Sequence, residues 1–170
     1  MSPEIDLPAP TPVAVIGGGQ MGAGIAQVLL IAGAAVTLVE PRAPDRARSR
    51  VRTGLEGAAE RGKLDESLPA VLERLEVRTS VAELPEDAAL VVEAVPEDAA
   101  LKAEVLRTAE AAVGPRALLA TNTSSLSVGE LAAVLDRPGR FLGLHFFNPV
   151  PASRLVEIVV PAGTAQDSVT

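Results

Sequence analysis

Residues 13–22 read Val13-Ala14-Val15-Ile16-Gly17-Gly18-Gly19-Gln20-Met21-Gly22, and an apolar stretch leads on to Ala35-Val36-Thr37-Leu38-Val39-Glu40. The four apolar residues between Pro12 and Gly17 predict a buried strand. Residues 21–32 predict a helix stopped by Gly33. A second strand follows at 35–39, ended by Glu40 and Pro41, so the unit fits a right-handed parallel crossover. Gly17, Gly19 and Gly22 match G-x-G-x-x-G. The first glycine permits a tight turn and the second lets backbone approach a pyrophosphate. The third allows close helix–strand packing, while the helix N-terminus offers oriented N–H groups. Between a strand and a helix, with an acid ending the next strand, the pattern predicts a dinucleotide site rather than a structural turn.

Glu40 stands where a carboxylate can accept both hydroxyls of an adenine ribose. The same charge repels a 2′-phosphate: at about 4 Å and an effective dielectric near 20, each unit charge costs on the order of 4 kcal/mol. That favours NAD over NADP, although Arg42, two residues on, offsets part of the repulsion.

Composition narrows the class. The chain has 170 residues, 48% of them hydrophobic, with a mean hydropathy of +0.29, which fits a folded core. With three Phe and no Trp or Tyr, that core must be built from Val, Leu, Ile and Ala. A net charge of −7 argues against nucleic acid as a partner. No apolar run is long enough to span a bilayer, so no membrane role is expected. The absence of cysteine excludes a disulfide framework and fits a cytoplasmic protein. No metal ligand set is assigned. Residues 1–11, with Pro3, Pro8 and Pro10, read as a disordered tail, which leaves 12–170 as one domain.

Beyond residue 40 the alternation continues. Helical faces are expected over 45–61 and 66–75, forming an insertion after the second strand, and a brief strand over 76–79. A buried strand at 90–94 precedes a helix from Pro96 to Val113, and another strand lies at 118–121. Ser127 begins a helix with Glu130 at the capping-box spacing. Strands at 141–145 and 155–160 close the chain. The segment joining them is too short for a helical crossover, so that pair should be antiparallel. The expected fold is α/β: a Rossmann-type, doubly wound, mostly parallel sheet. Gly17–Gly22, Glu40, Glu97, Ser124 and His145 all fall at or just beyond the C-terminal ends of strands, the edge where such sheets bind ligands.

Four segments in the second half carry a resemblance. They are Val91-Val92-Glu93-Ala94-Val95-Pro96-Glu97, Thr121-Asn122-Thr123-Ser124-Ser125, His145-Phe146-Phe147-Asn148-Pro149 and Leu155-Val156-Glu157. With the glycine turn they resemble the NAD-binding domain of the 3-hydroxyacyl-CoA dehydrogenases, over residues 13–170. Related hydroxyacid dehydrogenases share the glycine turn and the Asn-Thr-Ser segment, while the two Phe residues before Asn148 point to the acyl-CoA branch.

The resemblance implies an oxidoreductase of fatty acid metabolism interconverting (S)-3-hydroxyacyl-CoA and 3-oxoacyl-CoA with NAD. It assigns the catalytic base to His145, the only histidine, and imidazole suits a step that removes a hydroxyl proton as hydride leaves. Glu157 would orient that ring and stabilise the imidazolium. As an isolated carboxylate among Leu155, Val156, Ile158, Val159 and Val160, it should need a partner. Ser124 resembles the serine that holds the reacting oxygen, with Ser125 the alternative one position on.

Glu97, Lys102 and Asn122 resemble cofactor contacts beside Gly17, Gly19, Gln20, Met21, Gly22 and Glu40. The bland reading places Glu97 and Lys102 on the first turn of a helix surface. Asn148 is expected to shape its loop. Arg61 and Lys63 are the basic residues of the insertion expected to attract phosphate, and Arg46, Arg48, Arg50 and Arg52 a solvated face. Members of the family continue into a helical domain that supports a homodimer, and residues 166–170 read as the start of the connecting helix. Two other readings remain open: a carrier-protein-bound substrate, and a non-catalytic NAD-binding module.

Overall fold

A computed structural model describes residues 10–169, so the expected tail falls almost wholly outside the described residues. Seven strands form one sheet: β1 (Pro12–Ile16), β2 (Ala35–Val39), β3 (Leu75–Arg78), β4 (Leu90–Glu93), β5 (Leu118–Thr121), β6 (Phe141–Phe146) and β7 (Val156–Val159). Their spatial order is β3-β2-β1-β4-β5-β6-β7. All neighbours are parallel except β6 and β7, which run antiparallel as the short connection requires. The order reverses between β1 and β4, and the glycine turn leaves β1 at that switch point.

Strand β1 is buried on both faces, as expected of a central parallel strand. Val13 and Val15 join Val36, Leu38 and Val92 against Ile25, Leu30, Val51 and Leu55 on one face. Ala14 and Ile16 join Val39, Val91 and Leu119 against Leu106, Leu131 and Phe141 on the other. Each fully buried side chain of this size contributes about 1.5–3 kcal/mol of transfer free energy. Two layers of helix therefore hold the sheet, with the aliphatic core that the composition demanded.

The helices are α1 (Gln20–Ile31), α2 (Pro44–Glu60), α3 (Leu68–Glu73), α4 (Ala99–Ala112) and α5 (Val128–Ala132). Both α2 and α3 belong to the insertion between β2 and β3. Ser67 caps α3 by accepting the Ala70 N–H, so that helix starts later than the apolar pattern implied. Helix α4 begins at Ala99 rather than Pro96, because the Asp98 carboxylate accepts the Leu101 N–H at 2.8 Å. Pro96 and Glu97 consequently lie in the loop after β4. Ser127 caps the short α5 through the Glu130 N–H. Near the end, Gln166–Ser168 forms a single 3-10 turn where a connecting helix was expected, and Thr170 lies outside the described residues.

Candidate functional site

The glycine turn is built by close backbone approach. Gly17 has φ +104°, and a Cβ there would stand 2.6 Å from the Ala94 carbonyl oxygen. A Cβ on Gly22 would lie 1.7 Å from the Gly17 oxygen. The third glycine thus lets α1 sit directly on the turn. Gly19 differs, for nothing lies within 4 Å of its ideal Cβ. It is also the N-cap of α1 and makes no side-chain cap, which leaves the first-turn N–H groups facing open space. An uncapped helix start beside an unfilled glycine is what a pyrophosphate needs.

Gly18, the variable position of the pattern, is equally constrained. A Cβ there would meet Ala47 of α2 at 2.4 Å and Glu40 at 2.9 Å. Its N–H donates to Glu40 Oε2 at 3.0 Å, while Glu40 Oε1 accepts the Arg42 N–H at 3.0 Å. The Gly18 carbonyl accepts from Arg50 at 2.9 Å. Arg50 is therefore a clamp on the turn, not part of a solvated face. Around these groups lies a cavity of about 660 Å³, polar at Gly19, Gln20, Glu40 and Arg42 and apolar at Val81, Leu101 and Val105. A dinucleotide's adenosine half matches that division of polar edge and apolar wall.

A second cavity of about 350 Å³ adjoins the first through Met21, Ala94 and Val95. It brings together Glu97, Lys102, Asn122, Ser124 and His145. His145 is the penultimate residue of β6, and its register partner across the antiparallel pair is Glu157. His145 Nδ1 lies 2.8 Å from Glu157 Oε2. An ionised carboxylate only accepts, so this contact places the proton on Nδ1 and leaves Nε2 for a ligand. The Phe147 ring packs against the imidazole with centroids 4.5 Å apart. The expected reason for Glu157 needs correction, because β7 is exposed along its length and the carboxylate is 54% exposed. Register, not burial, gives it its partner.

Ser124 lies beside this pair on the loop after β5. Among the described residues its hydroxyl meets no hydrogen-bonding partner, while its N–H donates to Glu97 Oε1 at 3.0 Å. The same oxygen accepts from the Ser125 N–H at 3.2 Å, the Ser125 hydroxyl at 3.1 Å and the Thr123 hydroxyl. Burial alone would raise the Glu97 pKa. The Thr123 hydrogen bond, the Lys102 charge and Ser125 outweigh it and hold the group at about 2, below its ordinary 4.5. Glu97 is thus charged and already engaged by the loop.

Lys102 is not helix surface either. Only 1% exposed, its ammonium donates to Glu93 Oε1 at 2.7 Å and the Val95 carbonyl at 3.1 Å, and lies 3.3 Å from Glu97 Oε2. Asn122 Oδ1 accepts the Phe146 N–H at 2.8 Å and so ties the β5 loop to the end of β6. Asn148 Oδ1 accepts from Gln20 at 3.1 Å, which fits a loop-shaping residue.

Sequence reading missed Glu93, Thr121 and Thr123, although a lone carboxylate inside the apolar run 90–94 was a signal. Arg46 and Arg50 line a cleft of about 650 Å³ with Gln20, Gln27 and Thr53, whereas Arg61 and Lys63 lie exposed beyond α2. Among the described residues no helix is long and apolar enough to cross a membrane.

Comparison with known proteins matches residues 12–170 to the model of the 3-hydroxyacyl-CoA dehydrogenase, NAD binding domain. The chain is 39% identical over 159 residues to a probable 3-hydroxybutyryl-CoA dehydrogenase of Bacillus subtilis, covering 92% of this chain and 55% of that protein. It is 44% identical over 151 residues to a 3-hydroxybutyryl-CoA dehydrogenase of Mycobacterium tuberculosis, covering 86% and 52%. The crystal structure of (S)-3-hydroxybutyryl-CoA dehydrogenase from Ralstonia eutropha superposes with a TM-score of 0.85 at 35% identity, over 94% of this chain and 57% of that one. The chain spans about half the length of the curated relatives it matches.

Proposed function

This chain belongs to the 3-hydroxyacyl-CoA dehydrogenase family as its NAD-binding domain, and on that premise we propose that it supplies the cofactor site and catalytic base for interconverting (S)-3-hydroxyacyl-CoA and 3-oxoacyl-CoA. NAD, when bound, supplies the hydride acceptor. Gly17, Gly19, Gln20, Met21 and Gly22 would hold its pyrophosphate at the α1 N-terminus, and Glu40 would take the adenine ribose. Glu97, Lys102 and Asn122, which line the second cavity, would hold its nicotinamide end. His145 takes the substrate hydroxyl proton at Nε2, and Glu157 holds the ring and stabilises its cation. The Ser124 hydroxyl donates to the reacting oxygen. In reverse, His145 returns the proton.

The observation that carries this reading is the His145–Glu157 contact of 2.8 Å beside a partnerless Ser124 hydroxyl, in a cavity continuous with the glycine turn. The proposal extends to a role in fatty acid metabolism, a cytoplasmic location and a homodimer, with residues 12–170 as one folding unit of the natural protein. Supporting the last point, the sheet and both of its helical layers close within that span.

The test is NADH oxidation by acetoacetyl-CoA, catalysed by the natural polypeptide, set beside the same acyl group on a carrier protein. Turnover of the CoA thioester supports the proposal. Turnover of the carrier-bound substrate alone replaces the substrate class. NADH binding without turnover of either leaves a binding module and refutes the enzymatic reading.

A further inference from the structure

Glu93 is 0% exposed and Lys102 1% exposed, and the two form a buried ion pair. Each is fully satisfied. Glu93 accepts from Lys102, from the Val95 N–H at 2.7 Å and from the Thr121 hydroxyl at 2.7 Å. Lys102 donates to Glu93 and the Val95 carbonyl and lies 3.3 Å from Glu97 Oε2. Apolar residues of similar volume often hold a core as well as a buried ion pair, so stability is weak ground for these charges. What they do support is Glu97. Lys102 is the one cation within ion-pair distance of Glu97 among the described residues, and Glu97 is the shared acceptor of residues 123–125.

We propose that the buried Glu93–Lys102 pair is a positioning device, which holds Glu97 and through it sets the Ser124 hydroxyl against the substrate cavity. Glu93 fixes the lysine from the end of β4, between Ile16 and Thr121 in the sheet. Lys102, 3.3 Å from Glu97 Oε2, holds the second oxygen of this 36% exposed carboxylate inward. Glu97 then gathers the loop N–H and hydroxyl groups onto one oxygen. Thr123 extends the clamp, for its hydroxyl oxygen also accepts the Leu126 N–H at 3.0 Å. Both Lys102 hydrogen bonds go to protein, to Glu93 and the Val95 carbonyl, and they fix where its ammonium stands.

The inference rests on the proposed role of Ser124, but its first test does not depend on catalysis. Amide hydrogen exchange of this chain reads the Ser124 and Ser125 bonds to Glu97 directly. In the neutral pair Glu93→Gln with Lys102→Met, exchange at both amides should rise about tenfold or more, with Val92 and Ala120 still protected. Lys102→Arg should keep the protection. Should the double variant fail to fold, Glu97→Gln, at the solvent edge, should loosen the same two amides. Unchanged protection at Ser124 and Ser125 in a folded variant overturns the proposal, as does a loss spread evenly through the sheet.

A second test uses turnover by the natural polypeptide. Glu93→Gln/Lys102→Met and Ser124→Ala should each lower kcat, and the combination should cost little more than Ser124→Ala alone. Fully multiplicative losses contradict the link. Absence of turnover in the unmodified protein would count against the proposed function, while the exchange result would still decide the positioning.

Discussion

His145 and Glu157 sit opposite one another across β6 and β7, and their side chains meet at 2.8 Å between Nδ1 and Oε2. Because Glu157 is about half exposed, the pair is worth only about 0–1 kcal/mol to stability. Glu157→Gln should therefore leave the melting temperature nearly unchanged. It should lower kcat about tenfold or more, since a neutral amide no longer stabilises the imidazolium. Thermal unfolding and turnover on the same preparation check both halves.

Glycine substitutions should separate folding from binding. Gly22→Ala drives a methyl group into the Gly17 carbonyl at 1.7 Å, so backbone must move, at a cost of about 1–3 kcal/mol. Gly19→Ala meets nothing within 4 Å and should fold as the parent does. Its methyl instead occupies the approach to the α1 N-terminus, and NADH affinity should fall about tenfold or more. Urea denaturation and NADH titration of the two variants should give opposite patterns.

Glu40→Gln tests cofactor choice. The carboxylate accepts the Gly18 and Arg42 N–H groups, and the amide retains at most part of that. NADH affinity should drop, while the penalty against the 2′-phosphate of NADPH disappears. Arg42 lines the same cavity and remains to attract that phosphate. The ratio of NADPH to NADH dissociation constants should fall about tenfold or more. An unchanged ratio would remove Glu40 from the discrimination.

The Glu97 carboxylate gives a pH signature. Its folded pKa of about 2 lies below the ordinary 4.5, so the unfolded chain binds the proton first. Its stabilisation is fully present above pH 4.5 and is lost as pH falls towards 2. The stability gap between the parent and Glu97→Gln should therefore be widest near neutrality and shrink across that window. Urea midpoints at three pH values suffice, and a gap that widens on acidification would contradict the assignment.

Much of this architecture is legible in the residues alone, for reasons that differ by element. The β1–α1–β2 unit shows itself because glycine spacing, strand length and the terminal acid each impose a separate steric or electrostatic demand. The antiparallel β6–β7 pair follows from the short connection. Pro96 is a common helix opener, yet the Asp98 cap sets the start of α4 at Ala99. Glu157 meets His145 because the returning strand sets the two in register, whereas the exposure of β7 depends on the sheet edge and not on neighbouring apolar letters. Arg50 gave no sign of its role, because its target is a main-chain carbonyl that carries no side-chain identity. Glu93 and Lys102 are nine residues apart, yet only the turn between β4 and α4 brings them together.

The most direct test of the central claim is turnover of acetoacetyl-CoA with NADH by the natural polypeptide, unmodified and as His145→Ala. His145 is the single histidine of these 170 residues, so the substitution removes the one candidate imidazole base that they supply. The account predicts robust NADH oxidation by the unmodified protein and a loss of about 10²–10⁴ in kcat for the variant, with NADH binding retained. Undiminished turnover by His145→Ala would contradict it.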